Sequence, residues 1–222
     1  MVEPSAAPEA IYHQLAQVGK ALSSAKRLEL IEVLAQGERT VESLAQATSL
    51  KTTTASAHLQ SMYRGGLVTN RKSGTHVYYS ISGHEVLAAF VALRELALTR
   101  LAAAERARLQ LCAEDEMAPL PRADLLTELR GGRCIVLDVR PAVEFDAGHI
   151  VGARSLPWER LPQDIDTVPD TVDIVAYGRS AYCPLPFEAV RLLRSKGTAA
   201  RRLDCGFLEW RFEYRPSATG AG

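Results

Sequence analysis

The chain has 222 residues, which allows one large domain or two small ones. It is 47% hydrophobic and 23% charged, with 26 basic and 26 acidic residues, an ordinary globular balance. No run approaches the roughly 18 uninterrupted apolar residues of a membrane helix, since the best candidate, VLAAFVALRELALTRL, is broken by Arg94, Glu95 and Arg100. The start, MVEPSAAPEAIYHQ, carries Glu3 and Glu9 and lacks the apolar run of a secretory leader. A cytoplasmic, reducing location is therefore expected. Cys112, Cys134, Cys183 and Cys205 are irregularly spaced and form no CxxC, so neither a disulfide framework nor a structural zinc site is expected. No metal and no cofactor is expected either.

In chain order, Ile11, Leu15, Val18, Leu22, Leu28, Ile31 and Leu34 recur at helical steps and predict helix over 8–35, broken near Ser23–Ser24 and ended by Gly37. Val41, Leu44 and Ala45 mark a third helix, 41–47. After the turn ATSL, residues 51–64 form a fourth, with Ala55, Leu59 and Met62 on its inner face and Gly65–Gly66 as its stop. LVTNR and HVYYSI are β-prone arms around a turn at Lys72–Thr75 and predict a hairpin. A long helix is expected from His84 to Cys112. The acidic, proline-bearing stretch 113–121 reads as a linker. Beyond it, short apolar strands (CIVLDV, IVAY) alternate with helices (FEAVRLLRSKG), the pattern of a parallel sheet covered on both faces. The tail, 215–222, is expected to be disordered.

Helix, turn, helix and hairpin in this order give a winged helix-turn-helix. From Lys51 to Ser80 the chain carries Lys51, Arg64, Arg71 and Lys72 and no carboxylate. Its fourth helix offers Lys51, Thr52, Thr53, Ser56, His58 and Gln60 as candidate groove contacts, and the hairpin offers Arg71 and Lys72 to phosphates. The segment ERTVESLAQATSLKTTTASAHLQSMYRGGLVTNRKSGTHVYYSI resembles the ArsR/SmtB family of bacterial regulators, with Ser56-Ala57-His58-Leu59 at the family's S-x-H-L signature. The resemblance covers about residues 10–110. It implies a homodimer built by the first and last helices, and a palindromic double-stranded DNA operator. His58 is then a base reader, a phosphate contact or a structural residue. Relatives that sense metals carry cysteines where Thr40 and Glu42 stand here, and neither can serve as a thiolate ligand. The last helix has His84 alone near its start, with Glu114, Asp115 and Glu116 beyond its end. Relatives that sense sulfur oxidation pair two cysteines, and only Cys112 remains, either as a redox residue or as packing.

The second half resembles a rhodanese over about 122–214. LDVRPAVEFDAGHIVGARSLP sets Asp138, Arg140, Glu144, Gly148, His149, Ile150, Gly152 and Ala153 at that family's spacing, and Leu203-Asp204-Cys205-Gly206 with Trp210 closes the motif. These residues read as fold-building, with Asp138–Arg140 bracing the sheet end, Gly148 and Gly152 in tight turns, and His149 structural. The resemblance implies a six-residue catalytic loop, here Gly178-Arg179-Ser180-Ala181-Tyr182-Cys183, whose backbone N–H groups and following helix favour a thiolate. Its first position, the nucleophile's, is Gly178, and glycine cannot attack sulfur. Cys183 is left as the candidate reactive thiol, with Arg179 beside it and Cys205 as a possible redox partner, while Cys134 reads as buried. Three functions stay open for this half. It is a sensor of sulfane sulfur, persulfide or oxidant; a catalytically dead module binding a small anion or a protein; or a sulfurtransferase tethered to DNA. The expected organisation is a DNA-binding and dimerisation domain at 8–112, a linker at 113–121, a rhodanese-like domain at 122–214 and a tail.

Overall fold

The computed structural model describes residues 7–112, 118–213 and 217–219. The chain parts into two compact units between Glu95 and Leu96. Most of the expected linker, 113–117, and part of the tail lie outside the described residues.

In the first unit, α1 (Ala7–Leu22) and α2 (Ala25–Leu34) separate at Ser24, which is extended at φ −159°. Strand β1 (Arg39–Thr40) leads into α3 (Val41–Ala47), and the Thr40 side chain caps that helix by accepting the Ser43 N–H at 3.2 Å. Helix α4 (Thr52–Arg64) starts one residue later than expected, with Lys51 as its N-cap. Strands β2 (Val68–Ser73) and β3 (His76–Ile81) turn at Gly74–Thr75, where Gly74 takes φ 60°. The sheet is antiparallel in the order β1-β3-β2. Leu30, Ile31, Leu44, Ala55, Leu59 and Met62 are fully buried and form the centre of this unit. Ile11, Tyr12, Leu15 and Val18 of α1 instead stand 60%, 71%, 59% and 39% exposed, so the stripe that predicts this helix is not covered within its own chain.

The expected single helix from His84 to Cys112 is two, α5 (His84–Arg100) and α6 (Ala102–Cys112). Leu101 lies outside both helices: its N–H closes α5 on the Ala97 carbonyl at 2.8 Å, and its carbonyl opens α6 by accepting from Ala104 (2.9 Å) and Glu105 (3.2 Å), so the ladder ends and restarts there. Periodicity alone cannot register such a local change of hydrogen bonding.

The second unit carries α7 (Arg122–Arg130), β4 (Cys134–Asp138), α8 (Ala142–Ala147), β5 (His149–Ile150), β6 (Arg154–Ser155), α9 (Leu161–Asp164) with a following turn of 3-10 helix, β7 (Asp173–Tyr177), α10 (Leu185–Ser195), β8 (Ala200–Arg202), α11 (Phe207–Glu213) and β9 (Ser217–Ala218). A parallel sheet runs β6-β4-β7-β8. Its strands alternate faces: Val136, Val175 and Tyr177 pack toward Phe207 and Trp210, and Leu137, Ile174 and Ala176 toward Val190 and Leu193. Leu120, expected in the linker, is buried and pairs in parallel with Leu203 beside β8. Ser217–Ala218, expected in a disordered tail, pair antiparallel with His149–Ile150, because the edge at β5 offers unfilled ladder positions.

Candidate functional sites: a recognition helix and a six-residue loop

Helix α4 buries Ala55, Leu59 and Met62 and so turns its opposite face outward. Lys51, Thr52 and Thr53 are exposed and Ser56 and His58 half-buried or exposed on that helix, so five of the six candidate groove contacts sit on one accessible end. Gln60 does something different. Its Nε2 donates to the Tyr79 hydroxyl at 3.1 Å and ties α4 to β3. Lys72 stands exposed on the wing. Arg71 is engaged by Glu38, its Nε donating to Oε2 at 2.8 Å, and its guanidinium lies 4.6 Å from the Tyr78 ring centre. The Glu38 contact raises the Arg71 pKa further. The carboxylate-free stretch 51–80 is thus partly neutralised from outside, which its local composition cannot reveal.

Loop 178–183 follows β7 at the carboxyl edge of the parallel sheet, where ligands bind in such folds. Beneath it Asp138 and Arg140 are completely buried, with Arg140 donating through its backbone N–H (3.0 Å) and Nε (2.9 Å) to Asp138 Oδ1 and through Nη2 (2.8 Å) to the Gly148 carbonyl. The Tyr177 hydroxyl donates to Asp138 and accepts the Ile150 N–H at 3.1 Å. Burial and then the Asp138 charge push the Tyr177 phenol well up. His149 is buried, its Nδ1 2.9 Å from the Phe145 carbonyl and its ring stacked on Phe145 at 3.7 Å. Gly152 turns the chain at φ 83°, whereas Gly148 is extended and serves no tight turn.

The loop's front half is bolted down. Phe207 and Leu208 donate their N–H groups to the Gly178 and Arg179 carbonyls, each at 2.9 Å. A Cβ added at Gly206 would fall 2.3 Å from the Ser180 Cα, so the two backbones touch there. Arg179, expected to support a Cys183 thiolate, places its Nε 3.0 Å from both oxygens of the buried Glu144 and its Nη2 2.7 Å from Oε1. Its guanidinium is therefore paired with a buried carboxylate.

The anion cradle that the resemblance implies is largely occupied as well. The Ala181 N–H donates to buried Glu209 at 3.2 Å, the Tyr182 N–H to the Ser180 hydroxyl at 3.3 Å, and the Cys183 N–H to the Ser180 carbonyl at 3.1 Å. The following helix opens on Pro184 and Pro186, which have no N–H to give. Cys183 is 6% exposed. A Cβ at Gly178 would lie 2.8 Å from its Sγ and 3.0 Å from its Cβ. The thiol of the sixth position thus occupies the room in which a side chain at the first would begin.

Cys205 is buried behind this loop, and burial pushes its thiol well above the ordinary range. Cys134 is raised by burial and then by Glu128. Cys112 is half-buried on α6. Among the described residues no cluster of three or more His, Cys, Asp or Glu side chains is placed to hold a metal ion.

Residues 24–70 match the bacterial regulatory protein arsR family, and residues 122–213 match the rhodanese-like domain. The HTH-type transcriptional regulator Rv0324 of Mycobacterium tuberculosis is 42% identical over 212 residues, covering 96% of this chain and 93% of that protein. The chain belongs to the arsR family of bacterial regulators. Its similarity to the arsenical resistance operon repressor of Staphylococcus aureus is 33% over 76 residues, 34% of this chain and 72% of that protein. Among solved structures, the homodimeric winged helix-turn-helix DNA-binding domain of a possible ArsR-family regulator from Mycobacterium bovis is 45% identical and covers 44% of this chain and 90% of its own, with a TM-score of 0.41.

As an arsR-family chain it uses Thr40 and Glu42 to start α3. The backbone N–H and the Thr40 side chain hold the Glu42 carboxyl below the usual range. Sequence reasoning missed Glu38, Tyr79 and Glu209, whose partners lie far along the chain. It also missed Arg108 of α6, which lies within electrostatic reach of Tyr182 in the loop and is held by Glu105 at 2.8 Å.

Proposed function

We propose that the chain is a cytoplasmic, homodimeric repressor of the arsR type, and that its rhodanese-like domain reports a sulfane-sulfur compound through Cys183 without turning it over. The position of the Cys183 Sγ over Gly178 carries the reading. The thiolate attacks a polysulfide. One S–S bond forms and one breaks, the shortened polysulfide leaves with the electron pair, and Cys183 becomes a persulfide. The Cys183 Sγ already stands 2.8 Å from where a Gly178 Cβ would lie and is 6% exposed, so an added sulfur crowds the loop, and overpacking of this kind displaces the chain. Tyr182, next in the loop, lies within electrostatic reach of Arg108 on α6, the helix that follows α5 in the chain. The occupied cradle and the absent nucleophile at Gly178 argue against sulfur transfer.

The exposed stripe of α1 supports the dimer, and the name of the arsenical resistance relative supports repression. The test is operator binding by fluorescence anisotropy before and after polysulfide, with mass spectrometry of the thiols. Weakened binding together with added sulfur on Cys183, both lost in Cys183→Ser, is the expected result. Unchanged binding with all thiols unmodified favours instead a silent module, the reading to which the internally satisfied loop amides lend support.

A further inference from the structure

A cavity of about 420 Å³ opens in the first unit, where the end of α1, the turn into α2 and the end of α4 come together. Lys20, Arg27 and Arg64 line it along with Gln17, Ser23 and Ser61, and no carboxylate among the described residues does. Arg27 is held in place by two neutral acceptors, donating from Nε to the Ala21 carbonyl at 2.6 Å and from Nη2 to the Lys20 carbonyl at 2.8 Å. Lys20 and Arg64 have no ion-pair partner among the described residues. The C-terminal ends of α1 and α4 also face this region, and each contributes roughly half a negative charge. Three full positive charges against two such halves leave a surplus of about two.

The cavity follows a tight seam. A Cβ at Gly65 would lie 2.4 Å from the Ala21 Cβ, so α1 and α4 meet there almost backbone to side chain. At 3.6 residues per turn, Lys20 falls on the side of α1 opposite Ile11, Leu15 and Val18, and Gln17 and Ala21 fall on the flank between. The Lys20 side of the cavity is therefore turned away from the apolar stripe. Arg64 lies at the far end of α4 from Lys51, about 20 Å along the helix from it and about 9 Å from His58.

We infer that this cavity binds a phosphate-type oxyanion, bridging Lys20 on α1 to Arg64 on α4 with Arg27 behind. Its size accepts the phosphate group of a small organic molecule, and its place at the opposite end of α4 from Lys51, Thr52 and Thr53 favours a free ligand over the DNA backbone. The bridge ties the helix with the apolar stripe to the recognition helix. Only its effect on operator affinity rests on the function proposed above; binding itself does not.

The test titrates inorganic phosphate calorimetrically into the full chain and into a Lys20→Ala/Arg64→Ala double variant, with Lys196→Ala as a control in the second unit. Saturable binding by the full chain and the control, weakened about tenfold or more in the double variant with circular dichroism unchanged, is expected. Operator binding is then followed with and without phosphate at matched ionic strength. If phosphate displaces the operator and the double variant loses about two from the salt slope, the oxyanion belongs to the DNA backbone and the same site is supported. Absence of saturable phosphate binding together with an unchanged salt slope overturns the inference, as does binding that the double variant leaves intact.

Discussion

At Gly178 the missing side chain and the inward turn of Cys183 depend on each other. Gly178→Ala forces a methyl against the Cys183 Sγ and the Pro186 ring, and is expected to cost about 1–3 kcal/mol in urea unfolding. Adding Cys183→Ala removes the sulfur's share and restores part of the loss, so the pair shows a non-zero coupling in a double-mutant cycle. At Glu38 the effect runs toward DNA. Glu38→Gln releases the Arg71 guanidinium, and operator affinity should rise with a steeper salt slope, read by anisotropy at several salt concentrations. An unchanged slope would mean that Arg71 stays on Tyr78 and away from phosphate. The buried acids add a pH dependence. Burial raises the Cys205 thiol, so the folded chain keeps a proton that the unfolded chain gives up above about pH 8.5. The associated stability is complete below that pH and is lost as pH rises, at about 1.4 kcal/mol per unit. Urea midpoints from pH 7 to 10 should fall, and fall less steeply in Cys205→Ala.

Among elements, α3 and α4 show best what the chain's own pattern reveals. Ala55, Leu59 and Met62 at helical spacing are all at zero exposure, and the expected bounds of α3 match the structure. Thr40 caps α3 through its side chain. Thr40→Ala is expected to cost about 1 kcal/mol of stability without changing any metal response, measurable by chemical unfolding. In the loop, the chemistry that can be read from sequence is what is absent, the nucleophile at Gly178. The partners that set the loop's character could not be read there: Glu144 lies 35 residues before Arg179, and Glu209 lies 28 after Ala181. Hydrogen bonds across such separations come from the crossover topology of the sheet, which local periodicity does not encode. The interruption at Leu101 belongs to the same class, since its side chains continue the apolar pattern on both sides.

For the whole molecule, the stripe Ile11, Tyr12, Leu15 and Val18 is an apolar surface that the single chain leaves in water. Burying side chains of this size is worth roughly 1.5–3 kcal/mol each. Leu15→Glu with Ile11→Glu should convert a dimer to monomers in sedimentation velocity and abolish tight operator binding, because the proposed dimer engages DNA through two recognition helices and a monomer through one. A monomeric wild-type chain at micromolar concentration would remove the basis for the homodimer.

The loop over Gly178 is fastened along both halves. Its first three residues are held by Phe207, Leu208, Gly206 and Glu144, and its last three donate their N–H groups to Glu209 and Ser180. Cys183 shows only 6% of its surface, so its access is set by width. On the proposed function, a short linear polysulfide should modify Cys183 faster than the bulkier oxidised glutathione, and mass spectrometry of the thiols after equal exposure to each checks the order.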